Sequence, residues 1–274
     1  MGLTILQQIE ETVKAIRSVY KEAPRVGIVL GSGLGNLTSE ITVEQELSYT
    51  EIPHFPVSTV EGHQGKLIFG SIAGKRVVIL SGRFHYYEGY SPEQVVYPIR
   101  VLKFLGVDTL LLSNAAGGMN KSFRVGDLMI INDHISFFTV NPLLGKNEPA
   151  LGARFPDMSE PYSKALIRTA KTVASGLQLP VHEGVYAGVT GPTFETRAEY
   201  KLLHIAGGDA VGMSTVQEVI AARHLGMAVF AMSVITDLGI REEENIITHE
   251  EVLQAAAAAE PKLTALFKGV IAAL

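Results

Sequence analysis

The hydrophobic positions near the N-terminus repeat every three or four residues, which is the spacing of one face of an α-helix. The repeat consists of Leu6, Ile9, Val13, Ile16 and Tyr20. Just before it, Thr4 and Gln7 have the spacing of a capping box, in which each side chain accepts the other residue's backbone N–H. The pattern predicts an amphipathic first helix that ends before Pro24.

Short apolar runs follow along the chain and alternate with helical patterns. The runs that predict strands are 26–30, 66–69, 76–80, 107–112, 128–131, 185–189 and 228–235. Ala73-Gly74-Lys75 joins the second and third runs in the manner of a hairpin. Helix starts are indicated by N-cap residues or by proline at the first helical position: Ser91-Pro92-Glu93, Thr196, Ser214 and Thr248. Pro261 should kink or divide the last helix.

This order of elements predicts an α/β domain with a largely parallel sheet, and the hairpin adds antiparallel pairing, so the sheet should be mixed. The chain has 274 residues, which is near the upper size of roughly 250–300 residues for one hydrophobic core. We therefore expect one domain over residues 1–274. The stretch 141–160 is rich in Pro, Gly and Asn, and it is expected to be a long surface loop.

Composition narrows the class of protein. Hydrophobic residues make up 47% of the chain, charged residues 19%, and the net charge is −5. Lys and Arg are scattered, so neither nucleic acid nor a membrane surface is an expected partner. Cysteine is absent, no secretory signal precedes the first helix, and no apolar run reaches the ~18 residues of a membrane span. We expect a cytoplasmic protein.

Groups that bind an oxyanion follow several of the predicted strands, where α/β sheets bind their ligands. They are the glycine-rich segment Gly31-Ser32-Gly33-Leu34-Gly35, the group Arg83, His85, Tyr87 and Glu88, the small residues of Ser113-Asn114-Ala115-Ala116-Gly117-Gly118, and Ser214. Bare backbone N–H groups, guanidinium and hydroxyl groups all donate to phosphate. Each has an ordinary alternative, namely a tight turn, a surface side chain or a helix cap. The glycine spacing matches neither a dinucleotide-binding nor a Walker motif.

Two carboxylates stand at further strand ends, Glu195 in the segment 190–196 and Asp237 after Ile235-Thr236. A carboxylate accepts two parallel N–H donors, which is the pattern that a guanine edge presents. Charge at a helix N-terminus or a solvated loop is the alternative for each.

Five sequence runs, taken together and in order, resemble the trimeric purine nucleoside phosphorylases. They are Gly31–Gly35, Gly82-Arg83-Phe84-His85-Tyr86-Tyr87-Glu88-Gly89-Tyr90, Asn114–Gly118, Gly191-Pro192-Thr193-Phe194-Glu195-Thr196 and Val211-Gly212-Met213-Ser214. The resemblance implies a homotrimer whose single α/β domain contains a mixed, partly barrel-like sheet. It also implies purine salvage, by reversible phosphorolysis of inosine, guanosine and their deoxy forms to the base and (deoxy)ribose 1-phosphate.

The resemblance also implies roles for individual residues. The residues similar to the phosphate-binding set are Ser32, His63, Arg83, His85, Ala115 and Ser214. Those similar to the nucleoside-binding set are Tyr87, Asn114, Tyr186, Phe194, Glu195, Met213, Asp237 and His249. His85, Glu195 and Asp237 are the expected catalytic residues. Phosphate is a co-substrate, and neither a metal nor an organic cofactor is expected.

Two positions depart from the family's pattern. Asp237 stands where the 6-oxopurine enzymes usually have Asn, whereas the methylthioadenosine phosphorylases of a sister branch have Asp. Leu151 aligns with an aromatic residue that reaches the neighbouring subunit's ribose site in mammals. The alternatives are therefore a methylthioadenosine or adenosine phosphorylase, or a non-catalytic nucleoside-binding protein of the same fold. A Rossmann oxidoreductase is a third, more distant hypothesis.

Overall fold

In the computed structural model, which describes residues 2–32, 34–57, 59, 64–240 and 247–274, the first helix is α1 (Ile5–Val19). Its capping box is formed, since the Thr4 backbone N–H donates to Gln7 Oε1 at 2.9 Å and the Gln7 N–H donates to Thr4 Oγ1 at 3.3 Å. Ile9 and Ile16 are buried, so the predicted amphipathic helix is confirmed.

Strands and helices alternate along the described chain. The strands are β1 (Val26–Val29), β2 (Thr42–Ser48), β3 (Lys66–Ile72), β4 (Lys75–Ser81), β5 (Thr109–Gly118), β6 (Leu128–Phe138), β7 (His182–Val189), β8 (Ala210–Gly212) and β9 (Ala228–Leu238). The remaining helices are α2 (Pro92–Phe104), α3 (Lys164–Gly176), α4 (Arg197–Ile205), α5 (Val216–His224) and α6 (His249–Ala272).

The sheet is mixed and partly closed. Its strand order is β2-β3-β4-β1-β5-β8-β7-β6-β9, and β9 also pairs with β5. The strands β5, β8, β7, β6 and β9 therefore form a closed ring, while β2, β3, β4 and β1 extend from it as an open sheet. The predicted single α/β domain with a mixed, partly barrel-like sheet is confirmed. The β3–β4 hairpin is antiparallel, with Phe69 opposite Val78, as the sequence predicts.

The parallel pairings bring the carboxyl ends of three strands to one edge. β1 is parallel to β4 and to β5, with Val29 opposite Leu80 on one side and Leu112 on the other. The segments that follow these positions in the chain are therefore neighbours in space, although they are far apart in the sequence.

The structure corrects several predicted elements. The strand predicted over 107–112 continues to Gly118, so Asn114 and Ala115 belong to β5 and not to a loop. β2, β8 and α3 have no counterpart among the predicted elements. Pro261 does not divide α6. The buried face of that helix, which includes Leu263 and Phe267, supplies packing that outweighs the hydrogen bond a proline cannot donate.

The stretch 141–160 contains only a short 3₁₀ turn, Pro149–Leu151, among its described elements. Leu151 has 4% of its surface exposed and packs in the core of its own chain. The position that aligns with an aromatic residue of a neighbouring site is therefore part of the chain's own packing. Among the helices of the described segments, none combines the length and the apolarity needed to cross a bilayer.

Candidate active site

A cleft opens beside the carboxyl ends of β1 and β4 and along the second half of β5. It is lined by twelve of the residues predicted from the sequence: Ser32, Arg83, His85, Tyr87, Asn114, Ala115, Phe194, Glu195, Met213, Ser214, Asp237 and His249. His63 lies outside the described residues. Tyr186 does not line the cleft. It is fully buried behind the wall, and its hydroxyl accepts the Ser214 backbone N–H at 3.4 Å.

Arg83 is a buried cation at one side of the cleft, with 2% of its surface exposed. Its Nη1 donates to the Ser113 carbonyl at 2.7 Å and to Ser214 Oγ at 3.1 Å. The carboxylate of Glu218 lies 3.1–3.2 Å from Nε and Nη2. Because Glu218 is also buried, the pair offsets the cost of removing each charge from water, and the guanidinium plane is fixed against the cleft wall.

Ser214 is not the N-cap of the next helix, contrary to the sequence prediction. Thr215 holds that position with φ 70° and makes no side-chain capping bond. Such a backbone is strained for a β-branched residue. Asn114 Nδ2 donates to Thr215 Oγ1 at 2.8 Å and stabilises this conformation. The result is that the Ser214 hydroxyl lies against Arg83 and remains in the cleft wall.

His85 is held in a single orientation by Glu88. The Glu88 Oε1 atom accepts the His85 backbone N–H at 2.8 Å and lies 2.9 Å from Nδ1 of the ring. Burial lowers the pKa of His85 below its ordinary 6.5, and Arg83 acts in the same direction. The neutral ring therefore carries its hydrogen on Nδ1, since a carboxylate can only accept, and Nε2 is left as an acceptor.

Glu88 is itself strongly stabilised as an anion. Burial raises its pKa, but hydrogen bonds from His85 and Thr59 outweigh burial and lower the pKa from 4.5 to about 2. Thr59 donates to Oε2 from its backbone N–H at 3.0 Å and from its hydroxyl at 2.5 Å. A network of short bonds thus links the segment around Thr59 to the imidazole in the cleft.

Two carboxylates and a phenol form a second polar cluster in the cleft. Tyr200, on α4, donates to Asp237 Oδ2 at 3.3 Å and also hydrogen-bonds Glu195. Thr236 Oγ1 donates to Asp237 Oδ1 at 3.1 Å. Burial raises the pKa of Glu195, and the nearby Asp237 carboxylate adds to the rise. Oε1 of Glu195 is buried and accepts no hydrogen bond from the described residues.

Strand β5 connects the two polar clusters. Its Ser113 carbonyl accepts from Arg83, whereas a Cβ added at Gly117 would lie 2.9 Å from Asp237 Oδ2 and 3.0 Å from the Tyr200 hydroxyl. Four residues of a strand span about 13 Å. The cationic group and the carboxylate pair therefore lie in one cleft, about the length of a small ligand apart.

Between these clusters the wall is largely apolar or aromatic. The Tyr87 ring stacks on His85, with 4.6 Å between the ring centroids. Met213 and the half-exposed Phe194 also line the cleft. His249, the first residue of α6, lines it as well. Flat apolar surfaces beside convergent polar groups are typical of a site that binds a ring-containing small molecule.

Three side chains important to this geometry are absent from the sequence-based set: Glu218, Tyr200 and Thr236. Glu218 lies in α5, where the neighbouring residues Val216, Val219 and Ile220 are all buried. A charged residue within such an apolar helix requires a buried partner. The apolar residues around Glu218 in the sequence are therefore a signal that it pairs with a buried cation. Tyr200 and Thr236 had no comparable signal, because only the folded chain brings them to Asp237.

Within the described ranges, no group of three or more His, Cys, Asp or Glu side chains has the arrangement of a metal site.

Comparison with known proteins places these observations in a family. A model of the phosphorylase superfamily matches residues 25–272. Purine nucleoside phosphorylase 1 of Geobacillus stearothermophilus is 52% identical over 246 residues, which cover 90% of each chain. A Schistosoma mansoni purine nucleoside phosphorylase solved with adenosine superposes with a TM-score of 0.94 at 41% identity, covering 99% of both chains. A complex of the schistosome enzyme with hypoxanthine gives 0.93 at 41% identity over 100% of this chain and 99% of the other.

The Glu88 network predicts a specific dependence of stability on pH. Because folding lowers the pKa of Glu88 from 4.5 to about 2, its ionised form stabilises the fold above pH 4.5, and this contribution is lost as the pH falls towards 2. We expect Glu88→Gln to lower the free energy of unfolding at pH 7, and the gap from the parent protein to narrow below pH 4.5. Urea unfolding at several pH values measures this.

Glu10→Gln, an exposed change on α1, serves as the control and should leave the free energy of unfolding close to that of the parent at each pH. A gap for Glu88→Gln that stays constant from pH 7 to pH 3 would contradict the assignment.

Proposed function

The chain belongs to the phosphorylase superfamily, and on that premise we propose that it is a purine nucleoside phosphorylase acting on nucleosides such as inosine and guanosine. Such an enzyme is a pentosyltransferase, which moves the ribosyl or deoxyribosyl group from the purine to inorganic phosphate. The observation that supports this most directly is the single cleft in which β5 joins oxyanion donors to a carboxylate pair.

Phosphate is proposed to bind where Arg83, Ser214, Ser32 and the backbone of Ala115 meet. Glu218 neutralises much of the Arg83 charge, so affinity depends on hydrogen-bond geometry as well as on attraction. With Nδ1–H directed to Glu88, Nε2 of His85 is suited to accept the hydroxyl of a monohydrogen phosphate. His63 is retained as a proposed phosphate ligand from the sequence resemblance alone.

The reaction breaks the C1′–N9 bond and forms a bond between C1′ and a phosphate oxygen, and the electron pair of the broken bond passes to the purine. Positive charge develops on the ribose and negative charge on the base. Anionic phosphate beside the sugar stabilises the first, and donors at N7 and O6 stabilise the second. The unpartnered Oε1 of Glu195 is placed to accept N1–H and so to orient the base.

The ribose is proposed to lie between the two clusters, against Tyr87 and Met213, with Phe194 over the base and His249 near the 5′-hydroxyl. Asn114 acts mainly through Thr215, to which it donates, and Tyr186 acts from behind the wall through Ser214. These two residues are therefore proposed to position the site and not to contact the sugar.

The enzyme is proposed to use neither a metal nor an organic cofactor, and phosphate is its second substrate. It is proposed to act in the cytoplasm, in purine salvage. Methylthioadenosine or adenosine phosphorolysis is the alternative activity, and Asp237 is the residue that favours it, because an ionised carboxylate accepts from a 6-amino group.

Loss of phosphate ligands tests the main proposal. Ser214→Ala removes a hydroxyl from the phosphate wall, and Arg83→Lys keeps the charge beside Glu218 but loses the planar fork. A hydrogen bond to a charged group contributes ~1.5–3 kcal/mol, or about 10- to 150-fold. We expect each variant to raise the KM for phosphate by such a factor and to change the KM for inosine much less.

Saturation by phosphate at parental concentrations in both variants would show that phosphate binds elsewhere. Arg76→Lys, an exposed arginine of β4 paired with Glu22, is the matched control and should leave both constants unchanged.

The proposed homotrimer has support in exposed apolar side chains, among which Phe137 is 90%, Phe155 86% and Leu144 66% exposed. Apolar surface of this kind is typical of subunit contacts. Light scattering at micromolar concentration should give three times the 29.5 kDa chain mass. A fully active 29.5 kDa species would contradict the trimer.

Asp237 determines a further prediction on substrate choice. A carboxylate must gain a proton before it can donate to N7 or O6, whereas an amide donates at any pH. Asp237→Asn is therefore expected to lower the kcat/KM ratio of adenosine to inosine. Steady-state rates with both nucleosides measure this ratio, and an unchanged ratio would remove Asp237 from the purine site.

A further inference from the structure

Tyr200 lies between the two carboxylates of the cleft. The side chain is 3% exposed, projects from α4 and lines the same cleft as Glu195 and Asp237. Its hydroxyl donates to Asp237 Oδ2 at 3.3 Å and hydrogen-bonds Glu195. The distance to Asp237 is long for an O–H···O bond, which has a usual separation of about 2.7–2.8 Å. A phenol has one hydroxyl hydrogen, so the two carboxylates compete for it.

The backbone leaves room for this ring by means of two glycines. A Cβ at Gly239 would overlap two ring atoms of Tyr200, and a Cβ at Gly117 would lie 3.0 Å from its hydroxyl oxygen. Contacts below 3.0 Å do not occur between real atoms of this kind, so any side chain at Gly239 would displace the ring. Strand β5 and the residue that follows β9 thus accommodate the phenol, and its hydroxyl is fixed beside the carboxylates.

The order of groups along a 6-oxopurine edge matches this arrangement. From position 2 a guanine edge presents the 2-amino group and N1–H, which are donors, followed by O6 and N7, which are acceptors, and hypoxanthine lacks only the 2-amino group. If Glu195 accepts N1–H, the next position towards Asp237 is O6. The group that occupies this place on the cleft wall is the hydroxyl of Tyr200.

We propose that Tyr200 determines specificity at position 6 of the purine, by donating its hydroxyl hydrogen to the 6-oxo oxygen. The inference rests on the proposed function and deepens it, since it names the group that distinguishes 6-oxopurines. On binding, the hydroxyl exchanges its hydrogen bond to the carboxylates for one to O6, and Asp237 keeps the bond from Thr236.

The chemistry of the cluster supports a donor at this place. Ionised Glu195 and Asp237 have only acceptor atoms, so neither can bond O6. Burial and the two carboxylates raise the pKa of Tyr200 above its ordinary value of 10, which keeps the hydroxyl protonated at every pH at which the enzyme is assayed. As negative charge grows on the leaving purine, a donor at O6 stabilises the transition state more than the bound nucleoside.

The variant Tyr200→Phe removes only the hydroxyl and keeps the ring between Gly117 and Gly239. The test compares inosine with purine riboside, which has hydrogen at position 6 and therefore no 6-oxo oxygen for Tyr200 to bond. We expect kcat/KM for inosine to fall by about 10-fold or more, as for loss of a hydrogen bond to a charge-bearing oxygen. The kcat/KM for purine riboside should change by less than about 2-fold. The ratio of kcat/KM for inosine to that for purine riboside should therefore fall in the variant.

Tyr97→Phe is the matched control, because that buried hydroxyl bonds Thr12 in a different part of the chain. It should leave the inosine to purine riboside ratio unchanged. Equal losses for both substrates in Tyr200→Phe would show a merely structural residue and overturn the proposal. A selective loss with adenosine would overturn it too, since the hydroxyl would then accept from a 6-amino group.

The parent enzyme separates this test from the proposed function. If the parent shows no phosphate-dependent cleavage of inosine, the function itself is wrong. If the parent is active and the substrate ratio does not respond to Tyr200→Phe, only the role of Tyr200 is wrong.

Discussion

The pairing of β5 with its neighbours is the constraint on which the site depends. This strand is parallel to β1 on the open sheet and pairs with both β8 and β9 in the closed ring. Its first half is a buried apolar strand, and its second half passes along the cleft as Asn114, Ala115, Ala116 and Gly117. Because hydrogen bonds on both sides fix β5, the groups that it places at each end of the cleft keep a fixed separation, as a site that orients two reactants requires.

Buried charge is tolerated in this cleft because each charged group has a partner that also orients it. Glu218 pairs with Arg83 at one end, Glu88 holds His85, and Tyr200 and Thr236 donate to Asp237. Burying such groups without partners costs several kcal/mol each. The same contacts that limit this cost set the plane of the guanidinium, the tautomer of the imidazole and the direction of the carboxylate. Stability and preorganisation for phosphorolysis therefore depend on the same bonds.

Local patterns predicted the parts of the fold that local chemistry decides. The Thr4 capping box, the β3–β4 hairpin and the ends of β1 and β4 were all predictable, because caps, turns and apolar runs act within a few residues. The prediction that Ser214 caps a helix is wrong, since Thr215 holds the N-cap position, although Ser214 does line the cleft. Partners that join distant parts of the chain, such as Glu218 with Arg83 and Tyr200 with Asp237, follow from tertiary packing. The burial of Leu151 likewise depends on the fold around it and not on its own segment.

In the proposed reaction, one cleft joins phosphate to the sugar as the purine is released. The most direct measurement follows inosine with the purified parent protein, with and without phosphate, and quantifies hypoxanthine and ribose 1-phosphate together. We expect no hypoxanthine without phosphate, and equal amounts of hypoxanthine and ribose 1-phosphate when phosphate is present. Release of hypoxanthine at the same rate without phosphate, or nucleoside binding with no release at all, would contradict phosphorolysis in this cleft.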